Sequence, residues 1–339
     1  MIGMAPGTHG RTAIWAAVLV ALALAGCVLG AGIGSTGFEN ALHARNDPVA
    51  WRILWDIRLP RTLGAWLAGA LLGLSGAIAQ GLFRNPLADP YLLGSASGAS
   101  MGVGLVLAFG GASPLATQWL MSLGLTGAAF VGAAGAVLLT LVLARGVQHT
   151  LRLLLAGVIV GVVLGACNSL MMLRYPPVMQ TMQAFMLGST AFIGWGSLGL
   201  MAVVWLVCSL AAWSLSRVLD GLALGEETAV SLGLSLAPLR AILIAVLALA
   251  IGAAVAQTGI IAFVGLASPH LARSLVKTTH GRLTVLSSLM GGALLLAADL
   301  LARWAIAPQE LPVGVLTALI GGVYLLWRMH AGSGNGGAA

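Results

Sequence analysis

The sequence predicts an all-α, polytopic membrane protein with about ten transmembrane helices. Hydrophobic residues make up 59% of its 339 residues and charged residues only 7%, and the mean hydropathy is +1.02. A soluble domain carries roughly a quarter charged residues, and one aqueous core could not bury this much apolar surface. Apolar stretches of about 20 residues, the length that crosses a hydrocarbon core as a helix, recur along the chain.

Ten apolar segments follow one another along the sequence. They cover residues 13–34, 63–82, 91–109, 120–144, 151–173, 192–214, 239–256, 259–271, 283–301 and 313–327. The eighth is short and contains Gly265 and Pro269, which predicts a bent or partial span. We predict a single transmembrane domain over residues 1–330. The remainder, residues 331–339, has the Gly- and Ala-rich composition of a flexible tail.

The basic residues favour an N-terminus in the cytoplasm. With that orientation, ten of the sixteen basic residues fall in inside loops, in accordance with the positive-inside rule. The six basic residues on the outside weaken this orientation signal and require another explanation. They are Arg45, Arg52, Arg58, Arg61, Arg174 and Arg303.

Charge and motif content exclude several function classes. The net charge of +7 comes from single basic residues between apolar segments, so no stripe for nucleic acid forms. The three cysteines lie within apolar segments, which predicts neither a disulfide framework nor a metal site. The sequence has no Gly-x-x-x-x-Gly-Lys-Ser/Thr phosphate loop and no nucleophile with a partnered base. We therefore expect this chain to have no catalytic residue, metal or cofactor of its own.

Three other patterns concern packing and turns. Glycines recur every four residues at 69/73, 94/98/102 and 157/161/165, which favours close helix packing within one subunit over a dimer motif. Pro-containing turns at residues 85–88 and 268–273 are predicted on the cytoplasmic side. Gly225 and Gly233 bracket a predicted short helix over residues 226–232. From the residues alone, these turns and this helix could be functional elements or ordinary caps and connectors.

These residues also resemble a known family. The chain is similar to permease subunits of the FecCD/cobalamin type, the membrane halves of type II ABC importers, over about residues 50–325. Three blocks carry the resemblance. The matching residues include Arg58, Arg61, Ser75, Gly76, Gln80, Asn85, Leu87 and Gly94; Leu224, Gly225, Glu226, Leu232 and Gly233; and Gly259, Phe263, Pro269, His270, Arg273, Asp299, Arg303 and Glu310.

The resemblance implies a role for several positions. Arg58, Arg61 and Arg303 match residues that dock a periplasmic binding protein. Asn85, Leu87 and Thr150 match the cytoplasmic gate region. The ATPase-coupling segment corresponds to Leu224, Gly225, Glu226, Glu227, Leu232 and Gly233. Because the docking and gate positions flank one helix, we expect its residues Ser75, Gly76 and Gln80 to line the pathway.

Two departures from the family pattern lie on the predicted cytoplasmic side. The family often carries Gly-x-Asp-His-Arg in the loop after Pro269, whereas this chain reads Lys-Thr-Thr-His-Gly-Arg at residues 277–282 and lacks the acid. Its C-terminal end, at residues 321–326, also differs. These departures concern contact with the ATPase more than the expected import function.

The sequence therefore predicts a permease of the bacterial inner membrane, forming a homodimer with two ATPase subunits and a periplasmic binding protein. Iron(III)–siderophore, haem and cobalamin remain open as cargo, as does a heterodimer with a paralogue. The alternative is an ion-coupled secondary transporter, which requires an ionisable group at mid-membrane depth. Asp299 is the candidate, but Arg303 lies one helical turn away and favours an ion pair.

Overall fold

Helices form nearly all of the structure, a computed structural model that describes residues 8–34, 37–38, 47–110, 118–144 and 150–333. The α-helices are α1 (Thr8–Gly32), α2 (Pro48–Ile53), α3 (Leu59–Phe83), α4 (Ser95–Gly110), α5 (Gln118–Leu143), α6 (Thr150–Arg174), α7 (Pro176–Leu187), α8 (Trp195–Ser214), α9 (Ser216–Ala223), α10 (Glu226–Ser231), α11 (Leu236–Thr258), α12 (Val264–Leu275), α13 (His280–Trp304) and α14 (Val313–Ser333). A π-helical turn, Leu54–Arg58, joins α2 to α3, and a 3-10 turn, Pro90–Leu93, precedes α4. Two short antiparallel strands, β1 (Ile33–Gly34) and β2 (Gly37–Phe38), follow α1.

The prediction of about ten membrane-crossing segments is confirmed. Within the described residues, seven helical runs are long and apolar enough to span a membrane, and two more apolar helices, Ser95–Phe109 and Val313–Leu326, are shorter. The eighth predicted segment is the 12-residue helix α12, which contains Pro269. Helix α14 continues through Ser333, and the rest of the predicted tail, residues 334–339, lies outside the described part of the chain.

Three helices, α2, α9 and α7, lie outside the predicted segments, and the longest of them is α7. It begins at Pro176, a residue whose fixed φ and missing N–H suit the first turn of a helix. Its polar residues Gln180 and Gln183 interrupt the apolar run that marks the other segments. Helix α7 ends at Gly188, which has a positive φ of 70°. The connection between the fifth and sixth spans is therefore helical.

Helix α3 is the centre of the bundle. Nearly every residue from Pro60 to Phe83 is buried, and the helix packs against α8, α11, α12 and α13. A Cβ at Gly69 would overlap the carbonyl oxygen of Gly291, and one at Gly73 would overlap that of Ser287. The two glycines thus let α3 and α13 approach backbone to backbone, as their four-residue spacing predicted.

A second close contact joins α4 to α5. Side chains at Gly98 or Gly102 would overlap carbonyl oxygens of α5, at Gly132 and Ala128. The third predicted glycine row is used only in part. Gly157 packs against the backbone at Leu92, whereas no described atom lies near the missing side chain of Gly165. The expected packing within one subunit is confirmed for the first two rows.

Ion pairs between distant segments gather at the two ends of the bundle. One end joins the end of α3 to α10 and α11 through Arg84, Glu226 and Arg240, and joins α9 to α13 through Asp220 and His280. The opposite end joins the start of α3 to the end of α13. This division agrees with the sides that the alternation of spans assigned to these residues.

Candidate functional site

The three predicted docking arginines come together at one end of the bundle. Arg61 forms a bidentate pair with Glu310, with Nη1–Oε1 and Nη2–Oε2 distances of 2.9 and 2.8 Å. Its Nε and Nη2 also donate to Oδ1 of Asp299, at 3.3 and 3.2 Å. Arg303 pairs with Oδ2 of the same carboxylate. We call these four residues, Arg61, Asp299, Arg303 and Glu310, the Asp299 cluster.

Hydroxyl groups complete the Asp299 cluster. Thr190 Oγ1 donates to Oδ1 of Asp299 at 2.5 Å. Arg303 Nη1 donates to Thr62 Oγ1 at 3.2 Å, and this hydroxyl in turn donates to the carbonyl oxygen of Arg58 at 2.7 Å. Because the Asp299 side chain is fully buried, its negative charge is stabilised by two guanidinium groups and a hydroxyl rather than by water.

The expected ion pair between Asp299 and Arg303 is confirmed, and Arg61 and Glu310 extend it. Arg303 is only 1% exposed, and Arg58 and Arg61 are 9% exposed. Glu310, with 28% of its side chain exposed, is the most accessible acid of the Asp299 cluster. The three arginines thus share one end of the bundle, and Arg61 and Arg303 are already paired with acids of their own chain.

The predicted gate turn follows the C-terminus of α3. Arg84 adopts a left-handed conformation, with φ of 50°, that ends the helix. Asn85 Oδ1 then accepts a hydrogen bond from the Leu87 amide at 2.9 Å, which stabilises the turn before Ala88. Leu87 is 60% exposed. Thr150 is the first residue of α6, and its side chain is not among those the structure describes.

The predicted coupling segment, residues 224–233, contains the short helix α10 and directly follows α9. Gly225 and Gly233 flank α10 with φ of 111° and 83°, values that glycine adopts without strain. The predicted short helix is present and ends at Ser231, one residue earlier than expected. Leu224 and Leu232 are 54% and 64% exposed at its two ends. Helix α10 thus presents apolar side chains on a surface outside the spans.

An acidic residue ties α10 to two longer helices. Glu226 Oε1 lies 2.6 Å from Nη2 of Arg240 on α11 and 3.7 Å from Nη2 of Arg84 at the end of α3. We call Arg84, Glu226 and Arg240 the Glu226 cluster. Glu227, the next residue, is exposed. The Glu226 cluster connects the predicted coupling helix to the residue that precedes the predicted gate turn.

A second link on the same end joins α9 to α13. One carboxylate oxygen of Asp220 accepts hydrogen bonds from the backbone amide of His280 at 2.9 Å and lies 2.7 Å from its ring Nδ1. Burial alone would raise the pKa of Asp220. The hydrogen bonds from His280 and its charge outweigh burial and hold the pKa of Asp220 below its usual value.

The three residues predicted to line a pathway, Ser75, Gly76 and Gln80, lie on a face of α3 that packs against α12. All three are buried inside the chain. A Cβ at Gly76 would overlap the carbonyl oxygen of Gly265 on α12. Gln80 donates to the carbonyl of Leu266 at 3.0 Å and accepts from Arg273 at 2.5 Å. This face of α3 therefore holds α12, because it carries the small and amide side chains that close packing requires.

The described residues contain no group of three or more His, Cys, Asp or Glu side chains that could hold a metal ion. What the site offers instead is two ionic clusters at opposite ends of one buried helix. Two exposed leucines, Leu224 and Leu232, lie beside the second cluster.

Comparison with known proteins gives one consistent result. A profile of the FecCD transport family matches residues 14–331. The hemin transport system permease protein HmuU of Yersinia pestis is 39% identical over 315 residues, covering 91% of this chain and 92% of that protein. The vitamin B12 import system permease protein BtuC of Escherichia coli O157:H7 is 38% identical over 285 residues, covering 81% and 83%.

A solved structure gives the same result for the fold. A metal-chelate type ABC transporter in an inward-facing conformation superimposes with a TM-score of 0.83 at 32% sequence identity, over 93% of this chain and 98% of that one. The helical architecture is thus that of the type II ABC importer permeases. The profile covers nearly the whole chain and every span, and the chain belongs to the FecCD transport family.

Proposed function

We propose that this chain is the permease subunit of an ATP-driven importer and forms, with a second copy, the pathway for a metal chelate. The observation that carries the proposal is the match of nearly the whole chain to a family of importer permeases. The chain has no phosphate loop, so ATP hydrolysis falls to two partner ATPase subunits. A periplasmic binding protein delivers the cargo.

The α9–α10 surface is the proposed contact with the ATPase. Leu224 and Leu232 expose apolar area outside the spans, and a short amphipathic helix can bind in a groove of another protein. Gly225, Glu226, Glu227 and Gly233 shape and flank this helix. Movement of α10 reaches the end of α3 through Glu226 and Arg84. There, Asn85 and Leu87, together with Thr150 at the start of α6, form the proposed cytoplasmic gate.

The opposite end is the proposed docking surface for the binding protein. Arg58, Arg61 and Arg303 converge there, and arginine pairs with carboxylates of a partner in an orientation-specific way. Since Asp299 and Glu310 already bind Arg61, a partner carboxylate competes with Glu310, the more exposed acid. Docking would therefore displace Glu310 from Arg61 and leave the buried pairs of Asp299 in place, rather than add to a free positive patch.

The proposed cargo is a large metal chelate, with haem, cobalamin and iron(III)–siderophores as the classes to test. The similar proteins HmuU and BtuC carry hemin and vitamin B12 in their names, and a similar solved transporter is of the metal-chelate type. Because one face of α3 is buried within the subunit, the pathway is proposed to run between two copies. The membrane is the bacterial inner membrane, with the N-terminus in the cytoplasm.

An ion-coupled secondary transporter is disfavoured by the surroundings of Asp299. A coupling carboxylate must bind and release a proton or sodium ion during transport. Asp299 is instead fully buried and held by Arg61, Arg303 and Thr190. These three partners occupy both of its carboxylate oxygens, where a coupling ion would have to bind.

The proposal is tested by purifying the chain with the ATPase and binding protein encoded beside its gene. ATP hydrolysis is measured in the presence of binding protein loaded with haem, with cobalamin or with a ferric siderophore. We expect one loaded form to stimulate hydrolysis more than the other two. Failure of the chain to associate with any ATPase would contradict the proposed function.

A further inference from the structure

A polar cavity opens where the end of α8, helix α9 and the start of α13 meet. Its volume is about 400 Å³, and its charged lining residues are Arg217, Asp220 and Arg282. Arg217 is exposed and forms no ion pair within the described residues. The carboxylate of Asp220 is held by the amide and ring of His280. The positive charges of the lining thus outnumber the negative one, and the negative one is already bound.

The N-terminus of α13 adds to the positive potential of this cavity. The N-cap residue Thr279 has an extended backbone, but its side chain does not cap the helix. Gly281, in the first turn, lines the cavity. Asp220 already accepts a hydrogen bond from the amide of His280, and the helix dipole favours a further anion beside the remaining first-turn amides. This is also the loop in which the sequence lacks the acid of the family pattern.

An apolar groove of about 240 Å³ adjoins the polar cavity. It lies between α1 and α13 and is lined by Ala13, Ala16, Val285 and Leu286, among others. Trp213 and Arg282 line both the groove and the polar cavity. Tryptophan is enriched at the level of lipid headgroups, and basic pockets between transmembrane helices bind anionic headgroups.

We propose that this joined cavity and groove bind one anionic glycerophospholipid, with its phosphate beside Arg217 and Arg282 and an acyl chain along the α1–α13 groove. A charged cavity alone would suit any phosphate, and a groove alone would suit any apolar chain. Their continuity through Trp213 and Arg282 selects a molecule with both parts. The bound lipid would contact α1, α8, α9 and α13. It would thereby stabilise the packing of α9, the helix that precedes α10, against α13.

The site is tested on the full chain, purified in detergent, by native mass spectrometry with added phosphatidylglycerol or phosphatidylcholine. We expect phosphatidylglycerol to be retained preferentially. Arg217→Gln and Arg282→Gln should each weaken its retention about fivefold, the effect of one basic residue near an anionic surface. Arg282→Lys should recover most of the preference. Arg52→Gln, an exposed arginine at the opposite end, is the matched control and should change nothing.

Two further arms separate a lipid from a free phosphate. Ala16→Trp fills the groove and should reduce retention of long-chain phosphatidylglycerol without removing either arginine. Glycerol phosphate, which has the headgroup chemistry but no acyl chain, should not displace the lipid. The proposal would be overturned by equal retention of the two lipids, by unchanged retention in Arg217→Gln, or by displacement of the lipid by glycerol phosphate. Because the Arg217 side chain is exposed, no folding defect is expected in that variant.

Discussion

The Asp299 cluster and the Glu226 cluster use the same ionic chemistry in different surroundings. In the first, two acids and two arginines balance, and the central carboxylate is fully buried. In the second, one acid serves two arginines, and a third of its side chain is exposed. Breaking a buried pair leaves an uncompensated charge in a low dielectric, whereas water screens an exposed one. Burial therefore makes the first cluster a fixed joint and leaves the second a link that can break and reform.

The largest effect is expected from removing the central charge of the Asp299 cluster. Asp299→Asn leaves two guanidinium groups facing an amide, and should lower the free energy of unfolding by about 3–5 kcal/mol. Equilibrium unfolding in mixed detergent measures this. Asp56→Asn, an exposed acid at the same end, is the control and should have no measurable effect. Equal stability of the two variants would show that the Asp299 cluster is not a fixed joint.

The apolar edge of α10 should matter for assembly but not for the stability of the chain alone. Leu232→Ser removes an exposed leucine whose burial in a partner contributes about 2 kcal/mol, equivalent to roughly thirtyfold in ATPase affinity. Affinity is measured by titrating the ATPase onto the permease in nanodiscs. Val49→Ser, an exposed apolar residue on α2 at the other end, is the control. A similar affinity for both variants would remove α10 from the ATPase contact.

A smaller effect is expected at the Glu226 cluster, and mainly on coupling. Glu226→Gln weakens the links to Arg84 and Arg240, with a stability change of only about 1 kcal/mol because the acid is partly exposed. Stimulation of ATP hydrolysis by loaded binding protein should fall while basal hydrolysis is kept. Asp56→Asn, at an exposed acid on the opposite end and outside the ion pairs, should behave as wild type. Equal coupling in the two variants would argue against the link.

The sequence predicted the helical bundle well where a residue pattern is typical of a single structural feature. Lengths of apolar runs predicted the spans, and the four-residue glycine rows at 69/73 and 98/102 predicted close helix contacts that the structure contains. Helix α7 was missed because Gln180 and Gln183 break its apolar pattern, although Pro176 was a usable start signal.

What the sequence did not determine is the partner that each helix face meets. Ser75, Gly76 and Gln80 share a helix with the docking and gate positions, yet they face α12 rather than an open space. The pairing of Arg61 with Glu310 joins residues 249 positions apart, and nothing local predicts it. The pairing of Glu226 with Arg240 likewise depends on where α10 lies relative to α11.

The smallest predicted effect is an acid-dependent loss of stability at the α9–α13 link. Because the pKa of Asp220 is lower in the folded chain, its contribution is present above the ordinary Asp pKa of about 4 and is lost as the pH falls through the folded value. The difference between the unfolding midpoint at pH 7 and the midpoint below pH 4 should therefore be smaller for Asp220→Asn than for the wild type. An identical pH dependence in both would contradict the assignment.

The central claim is that a partner's ATP hydrolysis drives transport through this chain. Proteoliposomes containing the permease, its ATPase and loaded binding protein give the most direct test, with uptake measured with and without ATP and after collapse of proton and sodium gradients. The account predicts uptake that requires ATP and the ATPase and persists without the gradients. Uptake driven by an ion gradient, with no ATPase present, would contradict it.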